Sequence, residues 1–152
     1  MKLRVMSCLL LLMVAGCGGP RASATEAAAV AAIEKLGGKV EFDSKAPESP
    51  VIKVYLHGTA VTDSDLTVLP KLTQLQNLFL GKTKISDAGL EHVKGASHLK
   101  TLSLNGTAVT DAGLKQLADL KELKTLNVQE TKVTAAGVDE LRRTLPQVTI
   151  AR

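Results

Sequence analysis

Between Val51 and Pro146 the chain repeats one 24-residue pattern four times. Leu56, Leu80, Leu104 and Val128 stand 24 apart. So do Thr59, Thr83, Thr107 and Thr131, then Val61, Ile85, Val109 and Val133, then Leu66, Leu90, Leu114 and Val138. A period between about 20 and 29 residues with leucines in fixed phase predicts a stacked solenoid, because no single repeat can bury its apolar face alone. An aromatic content of 2% points the same way, since a core built from Leu, Val, Ile and Ala suits thin, regular layers.

Within each repeat the spacing assigns the elements. Asn77-Leu78-Phe79-Leu80 and Thr101-Leu102-Ser103-Leu104 alternate as strands do, whereas Leu114, Leu117 and Leu120 have helical spacing. One strand and one short helix per coil predict a right-handed α/β stack around a parallel sheet. The last helix is expected over Ala136–Leu145, stopped by Pro146, with Val148–Ile150 as a final strand and Ile150 in phase with Leu126. Ahead of the repeats, Ser23 and Glu26 have capping-box spacing and Thr25 is a rival cap. A helix should start near Thr25 and stop at Gly37-Gly38, followed by a strand over Lys39–Asp43. The short link through Pro47 and Pro50 is too brief for a parallel crossover, so that strand should run antiparallel to Ile52–Leu56 or stand apart from the sheet.

Residues 75–90, with Leu75, Leu78, Leu80, Thr83, Ile85, Ser86, Asp87, Gly89 and Leu90 in their phase, resemble a bacterial leucine-rich repeat of the ribonuclease-inhibitor-like class. The resemblance implies a short horseshoe arc, a parallel concave sheet, short convex helices and a helix–strand cap at the N-terminal end. It also implies a non-catalytic part in binding a protein or peptide. A fold alone does not name the ligand.

The first residues read as a leader. Met1–Arg4 is a positive n-region, and Val5–Val14 is an apolar run of about 10 residues, too short to span a bilayer. Val14-Ala15-Gly16-Cys17 resembles the lipobox of bacterial lipoproteins, which implies lipidation of Cys17 and cleavage before it. Ordinary secretion with cleavage after Ala22-Ser23-Ala24 is the alternative. The domain reading is therefore signal peptide 1–16, lipidated cysteine and tether 17–24, N-terminal cap 25–50, four repeats 51–146 and C-terminal strand 147–152. Gly18 after Cys17 resembles the pattern of lipoproteins sorted to the outer membrane, and the expected location is the periplasmic face of that membrane, through the lipid anchor. Loss of Lys2 and Arg4 with the leader leaves 17 basic against 15 acidic residues, too even a balance for a nucleic-acid partner.

The repeated polar residues have structural explanations. Thr59, Thr83, Thr107 and Thr131 are expected to form a ladder on the backbone of neighbouring coils. Asp63, Asp87 and Asp111 are expected to cap the short helices. One oxygen donor per coil falls short of a calcium site, so no metal and no cofactor is expected. His57, His92 and His98 read as solvated, no catalytic set can be assembled, and the chain is read as no enzyme.

Strand residues that do not enter the core must line the concave face. The candidate binding residues are Lys53 and Asn77 in one column, Tyr55, Phe79, Ser103 and Asn127 in the next, and His57, Asn105 and Gln129 in the third. Tyr55 and Phe79 are an aromatic pair with a polar rim, which suits a binding surface; pairing for strand stability alone is the competing reading. Five strands about 4.8 Å apart, each about 17 Å long, give roughly 340 Å². That is under half of the ~800 Å² per partner of a standard interface, so this face suits a peptide, a glycan or a weak contact. The rival to a binding role is a passive or self-associating envelope component.

Overall fold

The computed structural model describes residues 23–152. The signal peptide 1–16, Cys17 and the tether up to residue 22 lie outside the described residues. Helix α1 (Ala24–Lys35) begins one residue ahead of the expected start. Ser23 is its cap: Ser23 Oγ accepts from the Glu26 backbone N–H at 3.2 Å, and the Glu26 carboxylate accepts from the Ser23 N–H at 3.4 Å. Gly37, at φ +80°, ends the helix in a conformation that side chains resist. At Gly38 a Cβ would collide with Leu56 Cδ2, Ile33 Cγ2 and the Tyr55 carbonyl, so glycine lets α1 close on the first coil. Ala29 and Ile33 on the inner side of α1 are fully buried there.

Six strands follow, in sheet order β1-β2-β3-β4-β5-β6: β1 (Lys39–Phe42), β2 (Val51–Tyr55), β3 (Asn77–Phe79), β4 (Thr101–Ser103), β5 (Thr125–Asn127) and β6 (Thr149–Ala151). β1 runs antiparallel to β2 with Lys39 opposite Tyr55 and Glu41 opposite Lys53. Every later pair is parallel and shifted by one repeat: Val54, Leu78, Leu102, Leu126 and Ile150 share one row. The first four of those side chains are fully buried. Backbone bonds repeat with the same step, from the Leu56, Leu80, Leu104 and Val128 N–H groups to the Phe79, Ser103, Asn127 and Ala151 carbonyls, all at 2.8 Å.

The far side of the core is closed by short helices, α2 (Asp87–Leu90), α3 (Asp111–Lys115) and α4 (Ala135–Thr144). The first coil departs from the expected pattern. It carries a 3-10 helix over Asp63–Lys71, and Pro70 inside it cannot donate a helical hydrogen bond. Leu66, Leu90 and Leu114 nevertheless hold the same buried position. No helix among the described residues is long and apolar enough to cross a membrane.

Candidate binding face

The threonines are bonded differently from expectation. Each hydroxyl donates to a carbonyl three residues back in its own coil: Thr59 to Leu56 at 2.7 Å, and Thr83, Thr107 and Thr131 to Leu80, Leu104 and Val128 at 2.6 Å. The chain turns sharply off the strand at this point, which brings the near carbonyl within reach and leaves the neighbouring coil to the main chain. These residues fasten the turn and do not link the coils.

The aspartates, not the threonines, link the coils, and they are not the helix caps. The caps of α2, α3 and α4 are Ser86, Thr110 and Thr134. Asp63 accepts from the Ser86 N–H at 2.8 Å and the Ser86 hydroxyl at 2.6 Å. Asp87 does the same for Thr110, and Asp111 for Thr134. A carboxylate in one coil thus holds the capping residue of the next. Thr134's hydroxyl and N–H keep the Asp111 carboxyl below the usual range.

This ladder explains the repeated glycines. A Cβ on Gly89, Gly113 or Gly137 would run into the carboxylate of Asp63, Asp87 or Asp111, respectively. The first coil has no preceding aspartate, and there the glycine position holds Asp65, whose carboxylate turns back to its own coil. It accepts from the Thr62 N–H at 2.8 Å and hydroxyl at 2.7 Å, the N–H acting first to lower its pKa. Ala135 holds the aspartate position of the fourth coil, so no carboxylate reaches beyond α4. Arg152 Nε donates to the Val133 carbonyl at 3.2 Å, where main-chain N–H groups serve Val61, Ile85 and Val109.

The sheet's open face, away from the helices, carries the side chains expected on it. The parallel register aligns Lys53, Asn77, Thr101, Thr125 and Thr149, and beside them Tyr55, Phe79, Ser103, Asn127 and Ala151. Tyr55 and Phe79 stack with ring centroids 4.9 Å apart and planes 4° from parallel. Both are half-buried. Glu41, on β1, also belongs to this face and escaped the sequence reading. Its carboxylate accepts from the Tyr55 hydroxyl at 2.8 Å and pairs with Lys53 Nζ at 2.7 Å. The alternation of Val40 and Phe42 toward the core, with the antiparallel register, was the signal that could have found it.

The three side chains shift one another. Lys53 first, then Tyr55, lowers the Glu41 pKa. Glu41 raises the pKa of both Lys53 and Tyr55. The third column is partly closed: at Gly81 a Cβ would meet Asn105 Oδ1 and His57 Nδ1, so these side chains lean over the glycine. Ser103 Oγ donates to Asn105 Oδ1 at 2.9 Å. The Gln129 N–H donates to Asn127 Oδ1 at 3.0 Å. The strand positions of β3 to β6 on this face carry no ionisable side chain, while Lys100 and Lys124 directly precede β4 and β5, and Lys100 Nζ donates to Gln76 Oε1 at 3.0 Å.

His57 is exposed at the end of β2, His92 is half-buried behind α2, and His98 Nδ1 lies 3.0 Å from Glu122 Oε1. The three histidines are not brought together. Among the described residues no group of three or more His, Cys, Asp or Glu could hold a metal ion.

Comparison with known proteins places this geometry. A family profile described as "Leucine Rich repeat" matches residues 95–118. No curated protein matches the chain. Among solved structures, the chain is similar to internalin C2 of Listeria monocytogenes, at 28% identity over 55% of this chain and 34% of that one, with a TM-score of 0.47. A leucine-rich-repeat protein of Leptospira interrogans matches at 18% identity over 69% and 26%, with a TM-score of 0.54. The ectodomain of an Arabidopsis thaliana receptor kinase matches at 13% identity over 86% and 92%, with a TM-score of 0.49. The chain spans about a third of the internalin and about a quarter of the Leptospira protein. With four coils in constant register and one of them matching the family profile, the chain has the fold of leucine-rich-repeat proteins.

Proposed function

We propose that this chain is a non-catalytic binding module of the cell envelope, tethered to a membrane through lipid on Cys17, with the open face around Tyr55 and Phe79 as its docking surface. Proteins of this repeat class generally mediate protein–protein interaction, which favours a binding role over a passive one. The single observation that carries the reading is the stacked aromatic pair on an open sheet face, with the Glu41–Lys53 ion pair on one side and hydroxyls and amides on the other. Exposed aromatic groups with a polar surround are what anchor partners at small interfaces. The face is small. Six strands about 4.8 Å apart and three to five residues long cover roughly 250–400 Å², which suits a short segment of a partner.

Crosslinking in intact envelopes, followed by purification of wild type and of Tyr55→Ala and Phe79→Ala, tests the docking surface. The expected result is a partner lost from both variants while their melting temperatures stay within a few degrees of wild type. An unchanged partner set would refute it. For the tether, Cys17→Ala should move the protein from the membrane fraction to the soluble one, and retention in the membrane would contradict the anchor.

A further inference from the structure

A cleft of about 670 Å³ opens between the N-terminal cap and the first coil. The start of α1 contributes Ser23 and Glu26 to its lining, the link between β1 and β2 contributes Asp43 and Glu48, and the first coil contributes Lys71. Three carboxylates thus stand against one ammonium group. Among the described residues none of the four charged side chains is joined in an ion pair.

Glu26 is the telling member. The residue is only 5% exposed, which is rare for a charged side chain. Both bonds it accepts, from the Ser23 N–H and the Ser23 hydroxyl at 3.4 Å each, fall on Oε2. Among the described residues Oε1 accepts no hydrogen bond, although burying a carboxylate is costly without a donor or a cation beside it. Lys71, the cation already in the lining, is exposed.

The chain itself delivers a cation to this place. Arg21 is the one charged side chain among residues 17–22, and it precedes Ser23 by two residues. Two peptide units hold its Cα within about 7 Å of the Ser23 Cα, whatever path the chain takes. A guanidinium presents five donors in a planar fork and suits carboxylate oxygens better than an ammonium does.

We propose that the segment ahead of α1 docks in this cleft, with the Arg21 guanidinium on the free oxygen of Glu26 and on Asp43. This surface is separate from the open sheet face, and its occupant is a segment of the same chain. The docking stands without lipid on Cys17. With that lipid in place, at most about 20 Å of chain separates the anchor from Ser23, so the first-coil end of the stack is held toward the membrane.

Nuclear magnetic resonance on the isotope-labelled full chain tests the docking. Nuclear Overhauser contacts are expected from the Arg21 side chain to protons lining the cleft, such as those of Pro47, Ile52 or Thr73. Glu26→Gln removes the charge and keeps a residue suited to the capping box, so the contacts should vanish while α1 stays folded. A peptide of residues 18–22, added to Arg21→Ala, should shift the Glu26 and Thr73 signals saturably. Wild type, whose own segment competes at millimolar effective concentration, should bind that peptide at least about threefold more weakly. Absence of Arg21 contacts in wild type, or their persistence in Glu26→Gln, would overturn the proposal. Equal peptide binding by wild type and Arg21→Ala would also overturn it, because the cleft would then stand open to a basic segment of another protein.

Discussion

Coupling between Asp87 and Gly113 is the sharpest consequence of the carboxylate ladder. Asp87 accepts two hydrogen bonds from Thr110, at 2.8 and 2.6 Å. Bonds to a charged partner contribute about 1.5–3 kcal/mol each, and in this partly buried setting the low end applies, so Asp87→Ala should cost about 3 kcal/mol. In a domain of this size that lowers the melting temperature by roughly 10 °C. Gly113→Ala places a Cβ against the Asp87 carboxylate, which must leave its position. The same loss of about 3 kcal/mol follows, offset by up to about 1 kcal/mol from the better helix propensity of alanine. In the double variant the carboxylate is already gone. The remaining neighbour is the methyl end of Leu90, which can turn aside. The double variant should therefore lose about 2 kcal/mol, against about 5 for independent effects, a coupling of about 3 kcal/mol. Urea unfolding of the four proteins, followed by circular dichroism, measures the cycle. Additivity within about 0.5 kcal/mol would refute the ladder.

Other consequences are equally direct. Tyr55, its pKa raised first by the Glu41 hydrogen bond, should titrate above the usual tyrosine range of about 10 when followed by ultraviolet absorbance, and Glu41→Gln should bring it down. A raised native pKa means that this stabilisation is present below about pH 10 and is lost as pH rises through the native value. Asp65 and Asp111 have lowered native pKa values, so their stabilisation is complete above the ordinary carboxylate range and is lost as pH falls through the native values; thermal melts should be flat above about pH 5 and fall below about pH 4. Lys82, at φ +54°, occupies the place of Gly58 and Gly106, so Lys82→Gly should stabilise by about 0.5–1 kcal/mol in a urea titration. Gly106→Ala, at φ +68° with Lys82 Cγ 3.2 Å from the new Cβ, should destabilise by about 1–2 kcal/mol in the same assay.

Periodicity made the fold readable because one buried side chain per coil recurs at a fixed interval: the spacing of Leu56, Leu80, Leu104 and Val128 already contained the parallel register. The antiparallel cap strand was readable from the shortness of the link that follows it. Polar bonding was harder to read. A threonine or an aspartate can satisfy a backbone group in its own coil or in the next, and spacing does not choose between them. The choice was nevertheless encoded in pairs: glycine follows each aspartate by 26 residues, at Gly89, Gly113 and Gly137, and aspartate takes its place at Asp65, where no carboxylate arrives. Glu41 went unseen for a different reason. It lies outside the repeat, so column counting did not reach it, although its pairing with Lys53 and Tyr55 sets the charge at one end of the open face.

Site-specific photo-crosslinking in intact envelopes tests the docking surface most directly, with the reactive group placed at Ser103 on the open face and, separately, at Lys115 on the helical side. The account predicts a discrete, saturable adduct from position 103 and none from position 115. Adducts of equal yield from both positions, or an adduct from position 115 alone, would contradict it.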